Sequence, residues 1–180
     1  MKNLTFLDLR LDKKHLANIV DAGGLRGKVE VARLAYLKSN KKKDAIAFSQ
    51  AVFAWGRGER VYGKLSKEKW HTHVHQWLQK VPKLSEREAI EQGIELSGIG
   101  VSFASKHLRL LYPDRFATLD SVIDDRLGYS RNPAGYLRFL SDLKAFKDKY
   151  RLQYDIGDLE EAIFKAIKEE RNLMKIASRI

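Results

Sequence analysis

Apolar residues recur at helical spacing along most of the chain. Asp12 is placed to cap a first helix that runs to about Asp21 and ends on Gly23 and Gly24. Val29 to Lys38 carries Val29, Val31, Ala32, Leu34, Ala35 and Leu37, a broad apolar surface suited to burial. After the basic run Lys41–Lys43, Asp44 opens an apolar segment from Ala45 to Trp55, which closes on Gly56 and Gly58. Ser66 is placed to cap a helix to about Lys80, and Pro82 then breaks the chain.

Ser85 and Glu88 form a capping box for a helix to about Leu96. Gly98 and Gly100 make a very short turn into a helix over Val101–Leu111, stopped near Pro113. Asp120 caps a short helix that ends near Gly128. Asn132-Pro133 is a cap followed by a proline at the first helical position, which starts a helix to about Lys149. Asp158 and Glu161 repeat the capping logic for a last helix that reaches about Ile176. Strand signals are few: Thr5–Leu11 alternates only in part, and Ala117–Leu119 is very short. The pattern predicts one compact all-α domain over residues 1–180, without internal repeats or a low-complexity linker.

Composition narrows the chemistry. The 180 residues are 44% hydrophobic, enough for a core without covalent staples. There is no cysteine, which excludes disulfides, thiol nucleophiles and a cysteine-held iron–sulfur cluster. Charges scatter through the first fourteen residues with no apolar signal core, and no apolar run reaches membrane-spanning length. The expectation is therefore a cytoplasmic protein with no membrane partner. The 34 Lys and Arg against 23 Asp and Glu give a net charge of +11, which favours a polyanionic partner, nucleic acid first.

Two stretches carry candidate chemistry. In Leu96-Ser97-Gly98-Ile99-Gly100-Val101, two glycines flank one apolar residue at a tight helix–helix corner. Ile99 is expected to tuck inward, while the amides of Gly98, Gly100 and Val101 face outward. Free N–H groups at a helix start make a phosphate site that reads no sequence. An ordinary helical corner that happens to hold two glycines is the alternative. In Leu119-Asp120-Ser121, Asp120 is a candidate cap whose fixed negative charge suits a place beside a reacting sugar.

These residues resemble the helix-hairpin-helix superfamily of DNA glycosylases. The likeness rests on Leu96-Ser97-Gly98-Ile99-Gly100, the small residues Ala104 and Ser105, and Leu119-Asp120-Ser121-Val122-Ile123. Phe103-Ala104-Ser105-Lys106-His107-Leu108 with Tyr112-Pro113-Asp114-Arg115-Phe116 is most similar to the 8-oxoguanine-glycosylase-like branch. The likeness spans residues 85–128, with the motif itself over 86–111; Ala45–Trp55 also resembles the family's early core helix.

The resemblance implies a two-lobed helical enzyme of base excision repair. It would flip a damaged base, 8-oxoguanine among the candidates, out of double-stranded DNA and cut the N-glycosidic bond. Asp120 would stabilise charge on the sugar or help activate the nucleophile. No metal and no cofactor is implied, and the expected state is a monomer. Family members that also cleave the strand carry a lysine where this chain has Ser102. Serine there is similar to members in which water attacks. Lys106, one helical turn on, is an alternative amine nucleophile that would need a lowered pKa. A non-catalytic DNA-binding protein that retains the hairpin is the other reading, and a basic helical scaffold a third.

Further candidates lie outside that stretch. Trp55 and Phe53 are candidates for a base pocket, and Arg57 and Arg60 for DNA contact, although Trp55 suits a core and the arginines a solvated loop. Glu59 is a weaker candidate for a second acid. His71 and His75 share a helical face, a geometry that suits a metal, but no third ligand follows from spacing. The last helix, with Lys165, Lys168, Glu169, Glu170 and Arg171 over Leu159, Ile163, Phe164 and Ile167, reads as a structural element with a charged outer face.

Overall fold

Capping chemistry sets several of the helix boundaries. Glu88 Oε2 accepts the Ser85 amide at 2.8 Å and Ser85 Oγ accepts the Glu88 amide at 3.2 Å, so the capping box closes in both directions. Asp120 Oδ1 accepts from the amides of Val122 and Ile123, and Asn132 from that of Gly135 with Pro133 at the first turn. The computed structural model describes residues 4–17, 25–95 and 99–177. Its α-helices are α1 Lys13–Ala17, α2 Leu25–Ser39, α3 Lys42–Trp55, α4 Glu59–Lys64 and α5 Lys67–Lys80. After a 3-10 turn at Val81–Lys83 come α6 Glu86–Glu95, α7 Val101–Leu111, α8 Ser121–Leu127, α9 Pro133–Tyr150 and α10 Ile156–Ala177. The fold is all-α.

One small antiparallel hairpin is added to it. Strands β1 (Leu4–Phe6) and β2 (Leu9–Leu11) pair Leu4 with Leu11 and Phe6 with Leu9. The partial alternation over Thr5–Leu11 is thus a real period of two. Phe6, Leu9 and Leu11 turn to the core, where the Phe6 ring meets Phe139 and Phe146 of α9 edge-on.

Two predicted boundaries shift, and one predicted cap makes no side-chain bond. Helix α3 begins at Lys42, before Asp44, whose carboxylate instead accepts from the Ser39 hydroxyl. Ser66 stands before α5 but makes no side-chain cap bond. Helix α10 begins at Ile156, because the Asp155 carbonyl takes the first amide bonds, from Asp158 and Leu159. Asp158 is therefore inside the first turn and is not the cap. The predicted end of the first helix, at Asp21, Gly23 and Gly24, lies outside the described residues.

Helix α2 is less buried than its composition predicts. Val29 and Tyr36 face inward, while Val31, Leu34 and Leu37 are exposed. The helix packs one stripe against α3 and α7, and positions 31, 34 and 37 lie on its other side. Arg33 secures it by donating from Nε to the Leu111 carbonyl at 2.9 Å.

The deep core is aromatic around α3, α5 and α7. Phe53 packs on Tyr62, Trp70, Phe103 and His107. Trp70 Nε1 donates to Ser49 Oγ at 3.1 Å, and that hydroxyl meets His107 Nε2 at 3.0 Å. Burial lowers the His107 pKa to about 4, so the ring is a neutral core group that ties three helices together.

Candidate active site

The site begins with the close approach of α7 to the extended segment Phe116–Asp120. Only small side chains permit that approach, and Ala104 and Ser105 supply them, both fully buried. Ser105 Oγ accepts the Leu119 amide at 3.1 Å and donates to the Ser102 carbonyl at 3.1 Å. From the other side, Tyr136 of α9 donates from its hydroxyl to the Ala117 carbonyl at 3.1 Å. Two side chains thus fix the segment that delivers Asp120. Asp120 then caps α8 through Oδ1, accepting the Val122 amide at 3.0 Å and the Ile123 amide at 3.3 Å.

The other carboxylate oxygen, Oδ2, meets a lysine. Lys106 Nζ lies 3.8 Å from Asp120 Oδ2 and 2.9 Å from Ser102 Oγ. The Lys106 side chain is 9% exposed, with Nζ 5.1 Å from the centre of the Phe103 ring. Burial lowers its pKa, and the negative charges of Asp120 and Glu160 oppose that shift only in part. Desolvation of a lysine favours the neutral amine, the form that acts as nucleophile. Glycine at position 56 leaves room for its stem: a Cβ there would come within 3.0 Å of Lys106 Cδ.

A second set of charges joins Arg109 of α7 to Glu160 and Glu161 of α10. Arg109 of α7 donates from Nη2 to Glu161 Oε2 at 2.8 Å and to the Gly157 carbonyl at 3.1 Å. Its Nε is 3.4 Å from Glu160 Oε2 but finds no hydrogen-bond partner. The Thr118 amide donates to Glu160 Oε2 over 3.4 Å, and the Thr118 hydroxyl is buried without a partner. Burial, opposed by Arg109 and reinforced by Asp120 and Glu161, raises the Glu160 pKa to about 7.

These groups line one cleft of about 710 Å³. Trp55, Gly56 and Arg57 form its rim at the end of α3, Lys106 and Arg109 come from α7, and Asp120 stands at the head of α8. Phe164, Lys165 and Lys168 extend the α10 wall.

The structure brings together some of the predicted residues and separates others. Asp120, Lys106, Trp55 and Arg57 share the cleft. Ser102 reaches it through its bond to Lys106. Phe53 is a core residue, 1% exposed, and so is no pocket residue. Arg60 and Glu59 are exposed on α4 and do not line the cleft. Ile99 and Val101 are buried and Gly100 is exposed. Gly98 lies outside the described residues, so only part of the predicted glycine corner is seen. Gly100 has φ −97°, an ordinary value, and a Cβ on it would meet nothing within 4 Å. Neither backbone geometry nor packing demands glycine there.

The last helix is not the purely structural element its charge pattern predicts, since Glu160, Glu161 and Phe164 form a cleft wall. Glu160 and Arg109 are the residues that the sequence reading missed. The available signal was a charged residue inside an apolar stripe: Ile156, Leu159, Ile163 and Ile167 surround Glu160 at helical spacing, and all are buried. His71 and His75 have separate partners, the Tyr62 hydroxyl and the Asn40 carbonyl. Among the described residues no group of three or more acidic or histidine side chains is placed to hold a metal. No helix among them is long and apolar enough to cross a membrane. No protein-family model matches the chain, and neither a curated protein nor a solved structure matches it.

Proposed function

We propose that this protein is a DNA repair glycosylase that takes a damaged base from double-stranded DNA into the cleft and cuts its N-glycosidic bond. The observation that carries the reading is the Lys106–Asp120 pair, with Nζ 3.8 Å from Oδ2 on the wall of a cleft large enough for a base. In this reading Asp120 stabilises the positive charge that develops on the sugar, and Lys106 is the amine that attacks it. Ser102 holds Nζ in place from 2.9 Å. Lys106 thereby takes the role that the resemblance assigns to a lysine at position 102.

The surroundings support the same chemistry. Trp55 and Phe164 line the cleft with aromatic surface suited to an extruded base, with Arg109 over the Trp55 ring and Lys168 over that of Phe164. Arg57 and Lys168, both exposed, add positive charge to its lining, where a phosphate backbone would pass. Gly100 is exposed at the start of α7, the helix that carries Lys106.

A panel of duplexes, each with one lesion, tests the proposal. Base release from at least one duplex is expected, and Asp120→Asn should abolish it while DNA binding survives. Binding with no release from any duplex would instead fit a non-catalytic DNA-binding protein.

A further inference from the structure

Glu160 lines the same cleft as Asp120 and Lys106 and has no part in the chemistry described so far. Its side chain is 6% exposed. Both of its polar contacts fall on one oxygen, Oε2, from Arg109 Nε at 3.4 Å and the Thr118 amide at 3.4 Å. Neither is short. Arg109 is committed elsewhere, with Nη2 on Glu161 and the Gly157 carbonyl. Glu161 also meets Lys165 Nζ at 3.1 Å, so the stronger ion pairs of this wall belong to Glu161. A buried carboxyl with such weak donors is poor at holding a charge and good at holding a proton.

The two carboxyl groups of the cleft thus differ in kind. Asp120 takes two amide N–H bonds and lies by Lys106, whereas Glu160 is buried and has only two long contacts. Beside Glu160 the Thr118 hydroxyl, also lining the cleft, is buried without a hydrogen-bond partner. An unsatisfied buried hydroxyl next to a carboxyl marks a place where a polar ligand completes the bonding.

We propose, on the strength of the glycosylase reading above, that Glu160 is the general acid of base removal and gives its proton to the departing base. The step needs no further reagent. Neutral Lys106 Nζ forms a bond to the sugar C1′. The C1′–N bond breaks and its electron pair leaves with the base. The base takes the proton from the Glu160 carboxyl, which becomes a carboxylate. The ammonium formed on Nζ then releases its proton to water. Arg109, 3.4 Å away, stabilises the new carboxylate. A pair of titratable groups pushed apart in proton affinity by their environments is the usual division between acid and charge stabiliser.

The charges that face Glu160 are Arg109 and Lys106 from α7, Asp120 ahead of α8, and Glu161 on its own helix. With a carboxyl that titrates near 7, base release requires its protonated form and declines above neutral pH. Single-turnover base release, followed from about pH 5 to pH 9, is therefore expected to carry an alkaline limb set by Glu160 in the wild type. Glu160→Gln keeps the shape and cannot give a proton. It should slow release at pH 6 by about 10²–10⁴-fold and abolish the alkaline decline. Glu160→Asp should restore part of the rate together with the decline. Equal melting temperatures of wild type and Glu160→Gln at pH 5 would show that folding is intact. A wild type that releases base while Glu160→Gln keeps its profile, slowed uniformly or not at all, would overturn the acid role alone. A wild type that releases no base from any lesion duplex would overturn the glycosylase reading and the acid role with it.

Discussion

Asp120 combines two roles that one substitution separates. Its Oδ1 caps α8, and its Oδ2 faces Lys106. Asparagine caps as well as aspartate does but carries no charge. Asp120→Asn should therefore melt close to the wild type while losing base release by at least about 10²-fold, the scale of a lost charge-stabilising group. Asp120→Ala should lose the cap too and cost about 1 kcal/mol. An active Asn variant would remove the charge of Asp120 from the mechanism. Glu160 leaves its own mark on stability. Burial raises its pKa from 4.5 to about 7, so the folded protein holds that proton more tightly than the unfolded chain. The resulting stabilisation is complete below pH 4.5 and is lost as pH rises through 7. Relative to wild type, Glu160→Gln should gain stability between pH 5 and 8, by something on the order of 3 kcal/mol at most. Chemical denaturation at the two pH values measures the difference, and a gap that does not change with pH would contradict it.

At the scale of elements, the site depends on close packing around α7. A Cβ on Gly58 would come within 2.3 Å of the Phe103 ring, which is itself stacked on Phe53. Gly58→Ala must move that ring, and a loss of about 1–3 kcal/mol in urea unfolding is expected. Ser105→Ala leaves the buried Leu119 amide without its acceptor, at a cost of about 1–3 kcal/mol, and should slow base release by loosening the segment that carries Asp120. Much of this architecture was legible in the chain. The Ser85–Glu88 box, the Asp120 cap and Asn132-Pro133 are local signals, and local bonds decided those boundaries. The start of α10 was misplaced because Asp155 and Asp158 offer equivalent chemistry, and the backbone took the earlier one. The exposed face of α2 was misjudged because apolar content alone does not say how many neighbours a helix has. Phe53 was misplaced and Glu160 missed for a related reason: which side of α3 and α10 meets the cleft is fixed by helices distant in sequence.

Over the whole molecule, the net charge of +11 and the cleft act together. Arg57, Lys165 and Lys168 line the cleft together with Asp120, Glu160 and Glu161, so on the proposed reading the cations would attract the backbone while the carboxyl groups serve the chemistry on the sugar. The logarithm of DNA affinity should fall linearly with the logarithm of salt, and Lys168→Ala should reduce that slope by about 1. A flat salt response would contradict phosphate anchoring. The attack by Lys106 itself is tested most directly by borohydride trapping on a lesion duplex that the wild type processes. The account predicts a covalent protein–DNA adduct with wild type and with Ser102→Ala, and none with Lys106→Gln. A wild type that releases base without ever being trapped, or an adduct that persists in Lys106→Gln, would contradict it.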